Sequence, residues 1–296
     1  MNGIYIPLVI LLFALSRGIQ RIFTALALEH LEPWSIAGLS LLIATILWIP
    51  FALWKNWLIW DLKLWLRCAP LGVVNIAIPG VCFIAAQQFV SASAAALLVA
   101  SMPILIAILA ALFLGEKPKR NAVLGIAIGA IGVVILTIGK GGSIEGKSWT
   151  TGLTLISVGV IAASFVYVGW RKLLSEHRGV EIIAPQLVIS TIIALPIALA
   201  TGSSSNLLPQ LPILAALGIV NYIIPQIAMF WLITKTTAVR AAVANYLAPL
   251  FATFLAVLIL NQSVTLLIIV GGFLIISGAV LINTKPWRTS LNKSND

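Results

Sequence analysis

The chain has 296 residues, of which 61% are hydrophobic and 9% charged, with 18 Lys and Arg against 8 Asp and Glu. Soluble globular proteins carry about a quarter of their residues as charges, so the composition excludes that class and indicates an all-α integral membrane protein. The net charge of +10 does not indicate nucleic acid, because the cations lie in short gaps between apolar runs, where placement against a lipid bilayer accounts for them.

The first apolar run extends from Ile4 to Leu28 and is interrupted by Ser16, Arg17, Gln20, Arg21 and Thr24. At helical spacing these residues form one polar stripe, and two arginines near mid-membrane are expensive unless they face protein or water. Residues 1–12 contain no Lys or Arg, so the basic n-region of a signal peptide is missing and the first helix is expected to remain in the mature protein. Segments long enough to cross about 30 Å of hydrocarbon recur at 3–26, 33–54, 68–88, 91–114, 120–139, 151–172, 181–201, 210–233, 237–260 and 263–284. The stretch 54–67, with Trp54, Trp57, Trp60 and Trp65 beside Lys55, Lys63 and Arg67, reads as a membrane-surface linker. Cys68 and Cys82 fall in one predicted helix, about 21 Å apart along its axis and too far for a disulfide.

With a cytoplasmic N-terminus, inner loops and tail hold 14 cations, from Lys55, Lys63 and Arg67 through Arg240 to Lys293, whereas outer loops hold only Lys140 and Lys147. This predicts both termini inside, in a multi-pass protein of the cell's inner (plasma) membrane. Arg17 and Arg21 belong to neither set.

A shift of 146 residues aligns 72–132 with 218–278 without a gap, with 15 identities in 61 pairs. They include Gly72 with Gly218, Asn75 with Asn221, Pro79 with Pro225, Pro103 with Pro249, Gly125 with Gly271 and Gly132 with Gly278. Matched Asn, Pro and Gly each have a special backbone or packing role. The expected organisation is a first five-helix repeat over 1–140, an outer linker over 141–150, a second repeat over 151–285 and a cytoplasmic tail over 286–296. Five is odd, so the repeats are inverted in topology, an arrangement that places a substrate site between them and supports alternating access.

Asn75 and Asn221 precede Pro79 and Pro225 by one turn. A proline there predicts a bend and a freed carbonyl, which the asparagine can satisfy; the same amide is also a candidate for binding a ligand. Pro103 and Pro249 are expected to kink the fourth and ninth helices, near Ser101, Asn245 and Tyr246. Small residues in 91–100 and 238–244 suit close helix contact, as does the Gly125-to-Gly129 spacing.

Ten spans and this repeat resemble the drug/metabolite transporter superfamily, in particular the EamA-type permeases. The resemblance is carried by Leu114-Gly115-Glu116 with Pro118, by Tyr246-Leu247-Ala248-Pro249, and by the glycine-spaced helices that follow each. It implies two inverted five-helix repeats around a central cavity and the movement of a small metabolite, often outward. The chain departs from the family pattern at Asn261-Gln262, where Gly-Glu usually recurs, at Ser40, where many relatives are basic, and at Phe13-Ala14-Leu15-Ser16. Arg21 falls near a family-type cation, whereas Arg17 looks particular to this chain.

No enzyme constellation, metal-ligand spacing or phosphate loop is present, so no cofactor or metal is expected. The eight acids lie at span ends, in loops or in the tail, which speaks against a carboxylate-based proton relay. Arg17 and Arg21 snorkel to the outer headgroups, pair with Glu29 or Glu32, or face the cavity and offer charge to a carboxylate or phosphate. Candidate substrate contacts are Arg17, Arg21, Ser16, Gln20, Asn75, Asn221, Tyr222, Trp231, Asn245 and Tyr246. The expected function is export or exchange of a metabolite with an anionic group. Export of neutral or zwitterionic amino acids or drugs is the alternative, and a lipid-handling membrane protein is the alternative of another class.

Overall fold

The computed structural model describes residues 5–86, 89, 99, 102–115, 120–139, 149–201, 207–260 and 265–283. Glu116 to Lys119, Ser101, Asn261-Gln262, the tail and most of the small-residue run 91–100 lie outside the described residues. The helices are α1 (Tyr5–Leu28), α2 (Pro33–Trp54), α3 (Leu62–Gly72), α4 (Ile78–Ala86), α5 (Met102–Leu114), α6 (Arg120–Gly139), α7 (Trp149–Leu173) and α8 (Gly179–Thr201). They continue with α9 (Leu211–Leu217), α10 (Ile224–Lys235), α11 (Ala238–Ala242), α12 (Ala244–Leu260) and α13 (Leu266–Asn283). Among the described residues there is no strand.

Among the described residues, five stretches are long and apolar enough to cross a membrane: Tyr5–Leu28, Pro33–Trp54, Thr150–Leu173, Gly179–Ala200 and Leu208–Lys235. Leu8, Ile46, Phe165, Ile192 and Phe273 point outward and are exposed, whereas Ser16, Thr24, Ser40, Gln186 and Ser190 are buried. An apolar outside over a partly polar inside is the arrangement lipid demands, because helices satisfy their own backbone and polar side chains must turn to protein.

Helix α2 starts where Pro33 follows an extended Glu32, a position at which the missing proline N–H costs nothing. Helix α3 starts at Leu62, six residues before the expected span, because the Asp61 carboxylate accepts the Lys63 backbone N–H at 3.0 Å. The stretch 54–67 is thus a short connection followed by helix, not a linker throughout. Its indoles still order it: Trp60 stacks on Trp65 at 5.6 Å between centroids. From α3, Arg67 reaches Glu176 in the connection after α7 and holds its carboxyl below the usual carboxylate range by hydrogen bonding and charge.

Prolines 79 and 225 do not produce simple bends. Each follows a π-helical turn, Val73–Ala77 and Gly218–Ile223, in which the Ile78 N–H reaches Val73 O and the Ile224 N–H reaches Ile219 O. A proline has no N–H for the carbonyl four residues back, and its ring crowds that carbonyl. Here the two carbonyls are those of Asn75 and Asn221, and widening the turn to an i to i−5 pattern relieves the crowding. The two π turns occupy matching positions of the 146-residue repeat to within one residue.

The packing repeats in the same frame. Helix α6 lies along α13, the most extensive helix contact among the described residues. A Cβ on Gly125 would meet Gly278 O at 2.7 Å, and one on Gly132 would meet Gly271 O at 2.8 Å. A Cβ on Gly72 would lie 2.9 Å from Gln186 O, and one on Gly218 2.9 Å from Ser40 O. Each pair of contacts exchanges a position with its repeat partner, as across a two-fold axis. Thr45 and Thr191, exactly one repeat length apart, hydrogen-bond each other at 2.8 Å between hydroxyls. A residue that touches its own repeat counterpart lies on the axis. On either side of it, α1 packs on α10 and α12 while α7 packs on α4 and α5.

Candidate functional site

Between α1, α4, α7, α10 and α12 lies a cavity of ≈ 280 Å³, near the lower end of the usual size of small-molecule sites, about 300–1,000 Å³. The polar stripe of α1 forms one wall, with Phe13, Arg17, Gln20 and Arg21 all lining it. Arg17 Nη1 donates to Asn221 Oδ1 at 2.7 Å, with a longer contact of 3.5 Å to Gln20 Oε1. Its guanidinium also lies 5.8 Å from the centre of the Phe13 ring, within cation–π range. The arginine of the first repeat is therefore positioned by the π turn of the second.

Ser16 faces the other way along the same helix. It is buried, and its hydroxyl donates to Val220 O at 2.6 Å, so it docks α1 on that π turn and is not among the lining residues. Arg21 lines the cavity, and neither Arg17 nor Arg21 forms an ion pair with Glu29 or Glu32 among the described residues, both acids being exposed.

The opposite walls are neutral. Asn75, Tyr222 and Asn245 line the cavity, as do Pro79 and Pro225. Asn245 Nδ2 donates to Tyr167 Oη and to Ala242 O, each at 3.0 Å, and the Tyr222 hydroxyl approaches Ala37 O at 3.4 Å. Tyr246 is buried away from the cavity: its hydroxyl donates to Ile126 O at 3.1 Å and its ring covers Gly129. Trp231 is half-buried against the apolar core and also stands outside the lining. Pro103 and Pro249 are buried next to the lining residues Met102 and Ala248.

One repeat length after Arg17 and Arg21 come Ala163 and Tyr167, and both line the cavity. The frame is thus two-fold while the charge is not: guanidinium on the α1 wall faces Tyr167 and Trp170 on the α7 wall. No Asp or Glu is among the described lining residues.

Gln226 also lines the cavity and was not among the sequence candidates. It is 4% exposed, and neither its amide nitrogen nor its amide oxygen has a hydrogen-bond partner among the described residues. The available signal was its alignment with Gly80 in the repeat, a large amide opposite a residue with no side chain. An unpaired buried amide costs about 1–3 kcal/mol. Gln226→Met, which keeps the length and removes both polar atoms, is therefore expected to raise the thermal midpoint of the detergent-solubilised protein; a fall would mean that the amide is partnered.

Known proteins resemble the chain over nearly its full length. It is 24% identical over 270 residues to an uncharacterized transporter of Archaeoglobus fulgidus, covering 89% of this chain and 94% of that one. It is 27% identical over 234 residues to the uncharacterized inner membrane transporter YedA of Escherichia coli, covering 78% and 74%. A probable terminal-alkyne amino-acid exporter of Streptantibioticus cattleyicolor is 24% identical over 273 residues, with 86% of each chain covered. A solved crystal structure superposes with a TM-score of 0.80 at 18% identity, covering 94% of this chain and 96% of that one, which establishes the likeness of fold. The EamA-like transporter family model matches twice, at residues 4–138 and 150–284, one match per repeat. The chain belongs to the EamA-like transporter family.

Proposed function

We propose that this transporter is an inner-membrane permease that moves a small metabolite bearing an anionic group, by alternating access through the cavity between the repeats. Ten spans in two inverted five-helix repeats, at 1–140 and 151–285, with the linker 141–150 outside and both termini cytoplasmic, supply the two bundles that rock against each other. The observation that carries the reading is Arg17: its guanidinium is held by Asn221 across the repeat boundary, at the wall of a cavity whose described lining has no carboxylate. Such a positioned cation suits a carboxylate or phosphate, to which guanidinium offers paired donors. Transport is the role proposed, since the lining residues Asn75, Asn221, Asn245 and Tyr222 offer hydrogen bonds to a solute.

The exporter relative from Streptantibioticus favours a second reading, amino-acid export, in which Arg17 takes the carboxylate and the faces of Tyr167 and Trp170 take the ammonium. Counterflow in proteoliposomes with anionic, zwitterionic and neutral metabolites separates the two. Anion counterflow by the wild type and its loss, by about a hundredfold, in Arg17→Gln is the expected result. Transport of anions by a folded Arg17→Gln at the wild-type rate would remove Arg17 from the site.

A further inference from the structure

We infer that the substrate is a dianion: one small solute that brings two negative charges to the α1 wall. The inference rests on the anionic-substrate reading above and concerns Arg21, which that reading leaves without a task. Arg17 and Arg21 are four residues apart on α1, so their side chains are neighbours on one face, about 6 Å apart at Cβ. Both line the cavity, and the Arg21 guanidinium lies in the field of Arg17. Like charges at this spacing repel even on an exposed helix, and a lower dielectric raises the penalty.

Arg17 has Asn221, Gln20 and the Phe13 ring; Arg21 has no hydrogen-bond or ion-pair partner among the described residues. Asn221 is neutral, so the hydrogen bond orients Arg17 without cancelling its charge. The other polar lining groups, Asn75, Gln226 and Tyr167, are neutral as well. The cavity therefore holds two positive charges with no protein anion among its described lining. A monoanion bound at Arg17 leaves Arg21 uncompensated, whereas a dianion leaves neither. One repeat length on, the same two positions are Ala163 and Tyr167, so the repeat frame itself does not require the charges.

The test compares three probes of one length and differing charge in proteoliposomes of the full chain at neutral pH: succinate, its monoamide succinamate, and succinamide. Wild type is expected to prefer succinate over succinamate by about tenfold or more in half-saturating concentration, and not to take succinamide. Arg21→Gln is expected to bring the two anions within about twofold of each other while succinamate counterflow persists. Arg21→Lys keeps the charge and is expected to keep the preference, which separates charge from packing.

Glycerol 3-phosphate, a dianion at neutral pH, and its phosphate methyl ester, a monoanion, form a second pair that distinguishes a phosphate head from paired carboxylates; a dianion preference in either pair supports the inference, and one in neither overturns it. It also fails if Arg21→Gln leaves the ratio unchanged, or if both Arg21 variants lose all transport while remaining folded. These failures leave the anionic reading in place when Arg17→Gln alone still abolishes counterflow. If Arg17→Gln transports succinate and succinamate as well as wild type does, the anionic reading itself falls and this inference with it.

Discussion

Gly132→Val is expected to leave little folded transporter to assay. The new Cβ would fall 2.7 Å from Ile275 N and 2.8 Å from Gly271 O, and both are backbone atoms that no rotamer change can move. Overpacking of a core typically costs about 1–3 kcal/mol where side chains can adjust; at a backbone contact the cost is expected above about 3 kcal/mol. Association of helices in lipid depends on this close approach, because burial of apolar surface supplies no driving force there. The yield of a monodisperse peak in detergent, with the thermal midpoint of whatever is recovered, is the measurement.

Gly115→Ala is the contrast. A Cβ at Gly115 meets nothing within 4 Å among the described residues, but its φ is +65°, so alanine costs only the local strain of the left-handed conformation, about 1–2 kcal/mol. A Gly132→Val protein as stable as Gly115→Ala would contradict the antiparallel α6–α13 packing.

Asn221→Leu is expected to weaken binding of an anionic probe by about ten- to a hundredfold, with the fold kept. The side chain accepts the 2.7 Å hydrogen bond from Arg17, and hydrogen bonds to charged groups are worth about 1.5–3 kcal/mol. Leucine fills a similar volume and leaves the guanidinium free to swing, so the loss falls on preorganisation and less on total charge. The effect should appear in half-saturating concentration before it appears in maximal rate, and restoring an acceptor with Asn221→Gln should recover part of it. Asn75→Leu, the same change in the other repeat, is expected to do less, because the residue equivalent to Arg17 there is Ala163. Equal losses at the two asparagines would mean that both act on the π turns and not through Arg17.

Much of the frame is legible in the sequence because it rests on residues with few alternatives. Gly125, Gly132, Gly271 and Gly278 stand out in an aliphatic chain, and the structure uses all four as the contact between α6 and α13. The stripe on α1 is legible for the same reason: Arg17, Gln20 and Arg21 are costly in lipid, and all three line the cavity. The direction of each side chain within that stripe is not legible. Ser16 differs from Arg17 by one position, a rotation of about 100°, and that rotation carries it from the cavity to Val220 O. Tyr246 and Tyr222 are alike in sequence, yet Tyr246 caps Gly129 while Tyr222 lines the cavity, because which face of a uniformly apolar helix turns inward leaves no periodic trace. The early start of α3 was readable in Asp61, a strong N-cap residue, but the tryptophans around it suggested an interface.

The two π turns carry a further consequence, one of angular phase. A turn closed by an i to i−5 hydrogen bond holds one residue more than an α turn, so it acts as a single-residue insertion in an otherwise regular helix. Removing one residue from either turn and restoring α geometry would rotate everything on one side by about 100° relative to the other. Gly72 and Gly218 lie before or at the start of these turns, against the backbones of Gln186 and Ser40, whereas Pro79 and Pro225 lie beyond them, in the cavity wall. Packing on one side and lining on the other thus agree only while both repeats keep the same extra residue, and a deletion in one repeat would put its bundle out of phase with the other.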